Sequence, residues 1–196
     1  MTGWCLQALR AAEVAGLEFD RRAYADALEW LKRVTSADGT VGYTSAGDAC
    51  PPVQGVNEAW EAHPTMTAVG LLSRMYIEKT RDAPWMRSAA RKILQDPPAW
   101  DERRRSVDSY YWYYGALALS TYDTPDRTEW ETFRDSLGRA LRSSQVRDEE
   151  KCGAGSWDPE ADRWGAIGSR IYTTAMNILA LEVILDYSSL RPLRNL

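Results

Sequence analysis

Apolar residues recur along this chain in steps of three and four, the period of an amphipathic helix. Trp4, Leu6, Leu9, Ala12 and Val14 mark a first helix. Gly16 ends it, because glycine accepts the left-handed conformation of a helix terminus. A second helix is predicted from about Tyr24 to Val34, with Ala27, Leu28, Leu31 and Val34 on one face. Asp38-Gly39-Thr40 reads as a turn and Val41-Gly42-Tyr43 as a short extended piece. A long loop from Thr44 to His63 follows, with Pro51, Pro52 and no periodicity; such loops are often functional or disordered. Pro64 suits the first turn of a third helix, Thr65 to about Lys79. A fourth runs from about Pro84 to Leu94, where Pro97-Pro98 stops it. Asp108 or Ser109 can cap a fifth helix that continues through Ser120. A sixth spans from near Asp126 to about Ser144. A glycine- and tryptophan-rich loop, Cys152 to Gly168, leads to a seventh, from about Ser169 to Tyr187, and the end beyond Pro192 is expected to fray.

Four of these helices share one layout, a bulky or polar entry and then a small residue followed by Leu. They are Trp4-Cys5-Leu6-Gln7-Ala8-Leu9, Met66-Thr67-Ala68-Val69-Gly70-Leu71, Trp112-Tyr113-Tyr114-Gly115-Ala116-Leu117 and Met176-Asn177-Ile178-Leu179-Ala180-Leu181. The helices between them carry charge, as in Arg22, Asp26, Glu29 and Lys32 of the second. The alternation predicts inner helices, apolar on most faces, and charged outer ones. Stacked hairpins of this kind form a curved double layer with a concave inner surface. The expected fold is all-α, about three and a half helical hairpins in one domain over 1–196, an α/α toroid or partial toroid that can be a fragment of a larger protein.

Composition sharpens the picture in one respect. The 196 residues include nine Trp and ten Tyr but two Phe. Trp and Tyr pair a large apolar face with a hydrogen-bonding group, which suits a pocket or groove. The formal charge of −4 argues against a broad electrostatic grip on nucleic acid, and Arg103-Arg104-Arg105 reads as a solvated loop. No stretch approaches the ~20 apolar residues a membrane span requires. The N-terminus has no signal-peptide pattern, so a cytoplasmic location is the default expectation. Cys5 reads as a small core residue, and Cys50 and Cys152 lie in loops with no CxxC spacing.

Gln145, Gly155-Ser156-Trp157-Asp158-Pro159, Trp164-Gly165 and Arg170-Ile171-Tyr172-Thr173-Thr174-Ala175 together resemble the prenyltransferase and squalene-oxidase repeat. In that family the Gln and Trp of the so-called QW motif pack where an outer helix connects to the next inner one. Leu141 is also in the expected place, though the loop is longer than the usual motif. Leu31 to Tyr43 resembles a degenerate copy, and Pro64-Thr65-Met66-Thr67-Ala68 and Asp108-Ser109-Tyr110-Tyr111-Trp112-Tyr113-Tyr114 resemble bacterial members of undefined role. The resemblance covers nearly the whole chain and implies a terpenoid-cyclase-like α/α toroid; fold alone does not imply activity.

The chemistry of that family has specific requirements. Its triterpene cyclases protonate substrate with a DxDD cluster, which this sequence lacks. The nearest acidic group, Asp158, Glu160 and Asp162, reads as a solvated loop. Asp108 and Asp158 are the candidate acids. A zinc site needs three or four converging ligands. The single histidine, His63, and Cys152 are the candidate ligands, with no supporting short spacing, and His63 at a helix entrance reads as a surface or capping residue. No nucleophile elbow, phosphate loop or HExxH appears. The aromatic run Tyr110 to Tyr114 reads first as core packing and second as a wall whose ring faces attract positive charge. Ligand-binding candidates are Tyr110, Tyr113, Tyr114, Trp157, Trp164, Arg170 and Tyr172. The expectation is a non-catalytic binding or scaffolding domain without cofactor or metal, whose partner is an apolar small molecule or a protein docked on the Thr44–His63 loop. The alternative is an isoprenoid- or lipid-processing enzyme with Asp108 or Asp158 as its acid.

Overall fold

The computed structural model describes residues 2–48, 52–122, 127–149 and 152–185. These form seven α-helices: α1 (Thr2–Val14), α2 (Arg22–Arg33), α3 (Thr65–Glu78), α4 (Pro84–Leu94), α5 (Ser109–Tyr122), α6 (Arg127–Ser144) and α7 (Gly165–Ile184). A single 3-10 turn at Pro159–Ala161 precedes α7. The described residues contain no strand; the extended piece after α2 makes one antiparallel bridge, Thr35 to Val41.

The odd-numbered helices stand in a row in chain order, α1 against α3, α3 against α5 and α5 against α7. The even-numbered helices cover that row. α2 packs on α3, α4 on α3 and α5, and α6 on α5 and α7. Each helix's sequence explains its position. A helix that is apolar all round must be buried all round. α5 meets that condition, with every residue from Tyr111 to Leu119 buried. α4 and α6 are amphipathic and bury single stripes, Met86, Ala89, Ala90 and Ile93 on one, Phe133, Leu137, Ala140 and Leu141 on the other. Small residues set the closest approaches. A Cβ on Gly3 would lie 2.6 Å from Val69 Cγ1, and one on Gly70 would lie 2.7 Å from the methyls of Val41. α1 and the Val41 segment therefore approach α3 with no room for a side chain.

Specific polar bonds fix the row. Gln7 on α1 donates from Nε2 to the Tyr113 hydroxyl at 2.8 Å, and its Oε1 accepts from the Tyr114 hydroxyl at 2.9 Å. Tyr111 donates its hydroxyl to the carbonyls of Ile93 and Asp96 at the end of α4. Trp157 is buried and donates its indole N–H to the Leu141 carbonyl at 2.9 Å, while Gln145 Nε2 donates to the Gly155 carbonyl at 2.9 Å. Glu13 accepts from Arg10, Arg21 and Lys79, tying α1 to the following loop and to the end of α3. Burial acts against the Glu13 carboxylate, but these three cations hold its pKa down at about 2.

Several boundaries depart from expectation. α3 ends at Glu78, because Lys79 takes the left-handed conformation. α7 is entered at Gly165 and interrupted at Ser169, where φ is 61° and ψ −175°. Residues 165–168 thus form one turn that bends into the longer helix. Cys5 is exposed, not a core residue, because α1 is the end helix of the row and Cys5 lies on its outward face. Cys50, Asp126, Tyr187 and the segment beyond Pro192 lie outside the described residues.

Candidate functional site: a cleft at the helix N-termini

N-terminal residues of the odd-numbered helices meet at one cleft of about 570 Å³. Thr2 and Gly3 come from α1, Thr65, Met66, Val69 and Gly70 from α3, Asp108 and Tyr110 from the start of α5, and Gly168 and Tyr172 from α7. The opposite wall is the end of α2 with the extended piece after it, Trp30, Leu31, Val34, Val41 and Tyr43. Two ends result. The α2 end is aliphatic and aromatic. The other gathers His63, Asp108, Arg163 and Trp164. A concave, mostly apolar cavity with a few convergent polar groups is the usual form of a small-molecule site.

The polar end is built by mutual hydrogen bonding. Asp108 caps α5, its Oδ1 accepting the Tyr111 amide at 2.9 Å. Burial raises its pKa, against the Tyr111 amide and the charges of His63 and Arg163, which favour the carboxylate. Asp162 accepts the Ser109 amide at 2.9 Å on one oxygen and the Trp164 amide at 2.8 Å on the other. Burial first, and the nearby Asp108 second, push its pKa up to about 6. Arg163 is buried, donates from Nη1 to the Glu61 carbonyl at 2.7 Å, and stacks its guanidinium over the Trp164 ring. Its backbone amide donates to Val107. The segment 162–164 is thus sewn to both sides of the entrance to α5.

His63 is equally enclosed, with its side chain 6% exposed. Its Nδ1 meets Asp96 Oδ2 at 2.7 Å, its Nε2 meets the Ser106 carbonyl at 2.9 Å, and its ring stacks on Tyr111 with planes 2° apart. Both partners are acceptors, an arrangement that favours a ring protonated on both nitrogens. Burial opposes that charge; Asp96, Asp108 and the Ser106 carbonyl outweigh it and raise the pKa.

Of the expected ligand-binding residues, Tyr110, Trp164 and Tyr172 line the cleft. Tyr113 and Tyr114 instead clamp Gln7, and Trp157 is committed to Leu141. Arg170 lies behind the wall, donating to Ser156 Oγ and to the Trp157 carbonyl. The two candidate acids separate. Asp108 lines the cleft, whereas Asp158 is half-exposed and caps the 3-10 turn through the Glu160 amide. Two readings are corrected. Asp162 is not in a solvated loop but buried, because two backbone amides satisfy its carboxylate. His63 is not a surface or capping residue, because Tyr111, Asp96 and Ser106 enclose it. Cys152 is exposed, and among the described residues no group of three or more His, Cys, Asp or Glu is placed to hold a metal. No described helix is long and apolar enough to cross a membrane.

Sequence reasoning missed Arg163 and the wall formed by Trp30, Leu31 and Val34. A local signal existed for Asp162, whose bond to the amide two residues on is an Asx turn. Nothing local announced its bond to Ser109. Compared with family models, with curated proteins and with solved structures, the chain shows no match.

Proposed function

We propose that this protein is a non-catalytic binding domain of squalene-cyclase-like α/α type, and that the cleft at its helix N-termini takes an apolar small molecule. One observation carries the reading: a cavity of about 570 Å³ is lined mostly by aliphatic and aromatic side chains, with a few polar groups among them. That volume matches a small organic ligand, and its walls would bury most of such a ligand's surface. The contact order α1–α3–α5–α7, with outer helices laid over it, supports an arc of hairpins as the frame.

Filling the cavity tests the proposal. Met66 lines the cleft and is only partly buried, so Met66→Trp would occupy the space without emptying the core. An apolar probe dye that fluoresces in the wild-type cleft should lose binding at least tenfold in this variant, at an unchanged far-ultraviolet circular dichroism spectrum. Equal binding by both proteins would show that the dye site lies elsewhere and would refute the cleft.

A second reading is favoured by one observation: Asp108 is a buried carboxyl on the same wall as Tyr110 and Tyr172. That arrangement would suit an isoprenoid- or lipid-processing enzyme with a carboxylic acid and aromatic walls. Turnover of an isoprenoid diphosphate by wild type, lost in Asp108→Asn, would establish it over the binding role.

A further inference from the structure

We infer that the first turn of α7, residues 165–168, is a lid over the cleft that opens about Ser169 and closes on a bound apolar molecule. The inference rests on the binding reading above and adds a moving part to it.

A backbone outlier leads to it. Ser169 holds φ 61° and ψ −175° inside what is otherwise a helix. Glycine enters that region freely; another residue stays there only where its surroundings impose it, and such residues gather at ligand clamps and switches. Ser169 is itself exposed, so the packing of its own side chain does not fix the angle. The constraint comes from both sides. Before the turn, Asp162 is tied to the Ser109 and Trp164 amides, and Gly165 lies so close to Pro159 that a Cβ would come 1.7 Å from its carbonyl oxygen. After the turn, Arg170 donates to Ser156 Oγ at 3.0 Å and to the Trp157 carbonyl at 3.1 Å. The chain between these anchors is short, and the strain collects at Ser169.

The turn itself is held by local bonds. The amides of Ile167 and Gly168 both donate to the Trp164 carbonyl, at 3.0 and 2.8 Å. Ile167 lines the cleft and is still 60% exposed, an apolar side chain standing at the mouth. Gly168 lies against Tyr172, where a Cβ would come 2.4 Å from the ring, so the lack of a side chain at 168 is what lets the turn close onto that wall. Opening releases the strain at Ser169. A ligand that covers Ile167 favours closure. Backbone strain of this kind and the burial of one isoleucine side chain are similar in size. The ligand therefore decides between the two positions.

Hydrogen exchange at single-residue resolution tests the lid, with the neutral dye N-phenyl-1-naphthylamine as the apolar probe. In the free protein the Ile167 and Gly168 amides should exchange roughly tenfold faster than those of the buried Met176 and Ala180 further along α7. Saturating dye should slow the first pair roughly fivefold and leave the second within about twofold. Ser169→Gly removes the strain that favours opening, so the first pair should slow about fivefold in the free protein; Ser169→Ala should leave it within about twofold. Ile167→Ala should speed dye dissociation, measured by stopped flow, roughly fivefold. Dye that binds without protecting Ile167 and Gly168, or that leaves Ile167→Ala no faster than wild type, would overturn the lid and leave the binding role standing. A slowing by Ser169→Gly that Met176 and Ala180 share equally would place the strain release in global unfolding and overturn the hinge. No dye binding by the wild type would overturn the binding reading and the lid with it.

Discussion

His63 donates from Nδ1 to Asp96 Oδ2 at 2.7 Å, across the gap between the entrance to α3 and the end of α4. The other ring nitrogen is spent on the Ser106 carbonyl at 2.9 Å. A neutral imidazole has one donor and could serve only one of these acceptors. The fold therefore favours the charged ring, and its pKa is raised above the ordinary 6.5.

That shift makes a signed prediction. A group protonated more readily in the folded than in the unfolded state contributes its full stabilisation below the unfolded pKa. It loses that contribution as pH rises through the folded value. Thermal melts should therefore show the transition falling from about pH 6.5 upward through the mildly alkaline range. His63→Gln should be less stable than wild type at pH 6 and should lack that decline. Parallel slopes in the two proteins would refute the charged ring.

Asp162 predicts a second pH effect, below that of His63. Its pKa is raised from 3.8 to about 6. The folded protein binds this proton more tightly, so stability from Asp162 is present below pH 3.8 and lost as pH rises to about 6. Asp162→Asn removes this dependence. The amide oxygen still accepts one backbone N–H but leaves the other unmet, which costs roughly 1–2 kcal/mol. Urea titrations at pH 4 and pH 7 separate the two effects. The variant should be weaker at pH 4, with the deficit narrowing by pH 7.

Gln7 is the polar link between α1 and α5, through Tyr113 and Tyr114. Gln7→Ala removes one hydrogen-bond partner from each of two largely buried hydroxyls and should cost about 1–2 kcal/mol in chemical denaturation. Removing the hydroxyls as well should restore part of the loss. Tyr113→Phe and Tyr114→Phe in the Gln7→Ala background should thus be more stable than Gln7→Ala alone, whereas in the wild-type background they should destabilise.

Ser169 holds φ 61° and ψ −175°, a region that glycine enters freely and other residues enter under strain. The strained residue lies between Trp164, Ile167 and Gly168 on one side and Tyr172 on the other, all of which line the cleft. Ser169→Gly should raise stability by about 1 kcal/mol, strain relief exceeding the entropy that glycine adds to the unfolded chain. Ser169→Ala should give no such gain. Thermal melts of the two variants decide the point.

The seven described helices were legible in the sequence because each is written in a local period. The apolar-all-round α5 and the single stripes of α4 and α6 follow from which residues repeat every third or fourth position. The helix ends were legible wherever a local device sets them, as with Asp108 before α5 and Gly16 after α1. Lys79 and Ser169 were not, because their left-handed and strained conformations carry no residue preference that a reader of Lys or Ser would expect. Tyr110 to Tyr114 illustrates the boundary most clearly. The sequence alone determined that five aromatics stand on one helix and that some must face inward. Only the tertiary structure decided that Tyr113 and Tyr114 clamp Gln7 while Tyr110 turns to the cleft. The same holds for His63, Asp108 and Arg163, which lie far apart along the chain and meet where the N-termini of the odd-numbered helices converge. Local rules fix which face of each helix is apolar; they contain no information on which distant residue fills the space opposite it, and that choice is what makes the cleft.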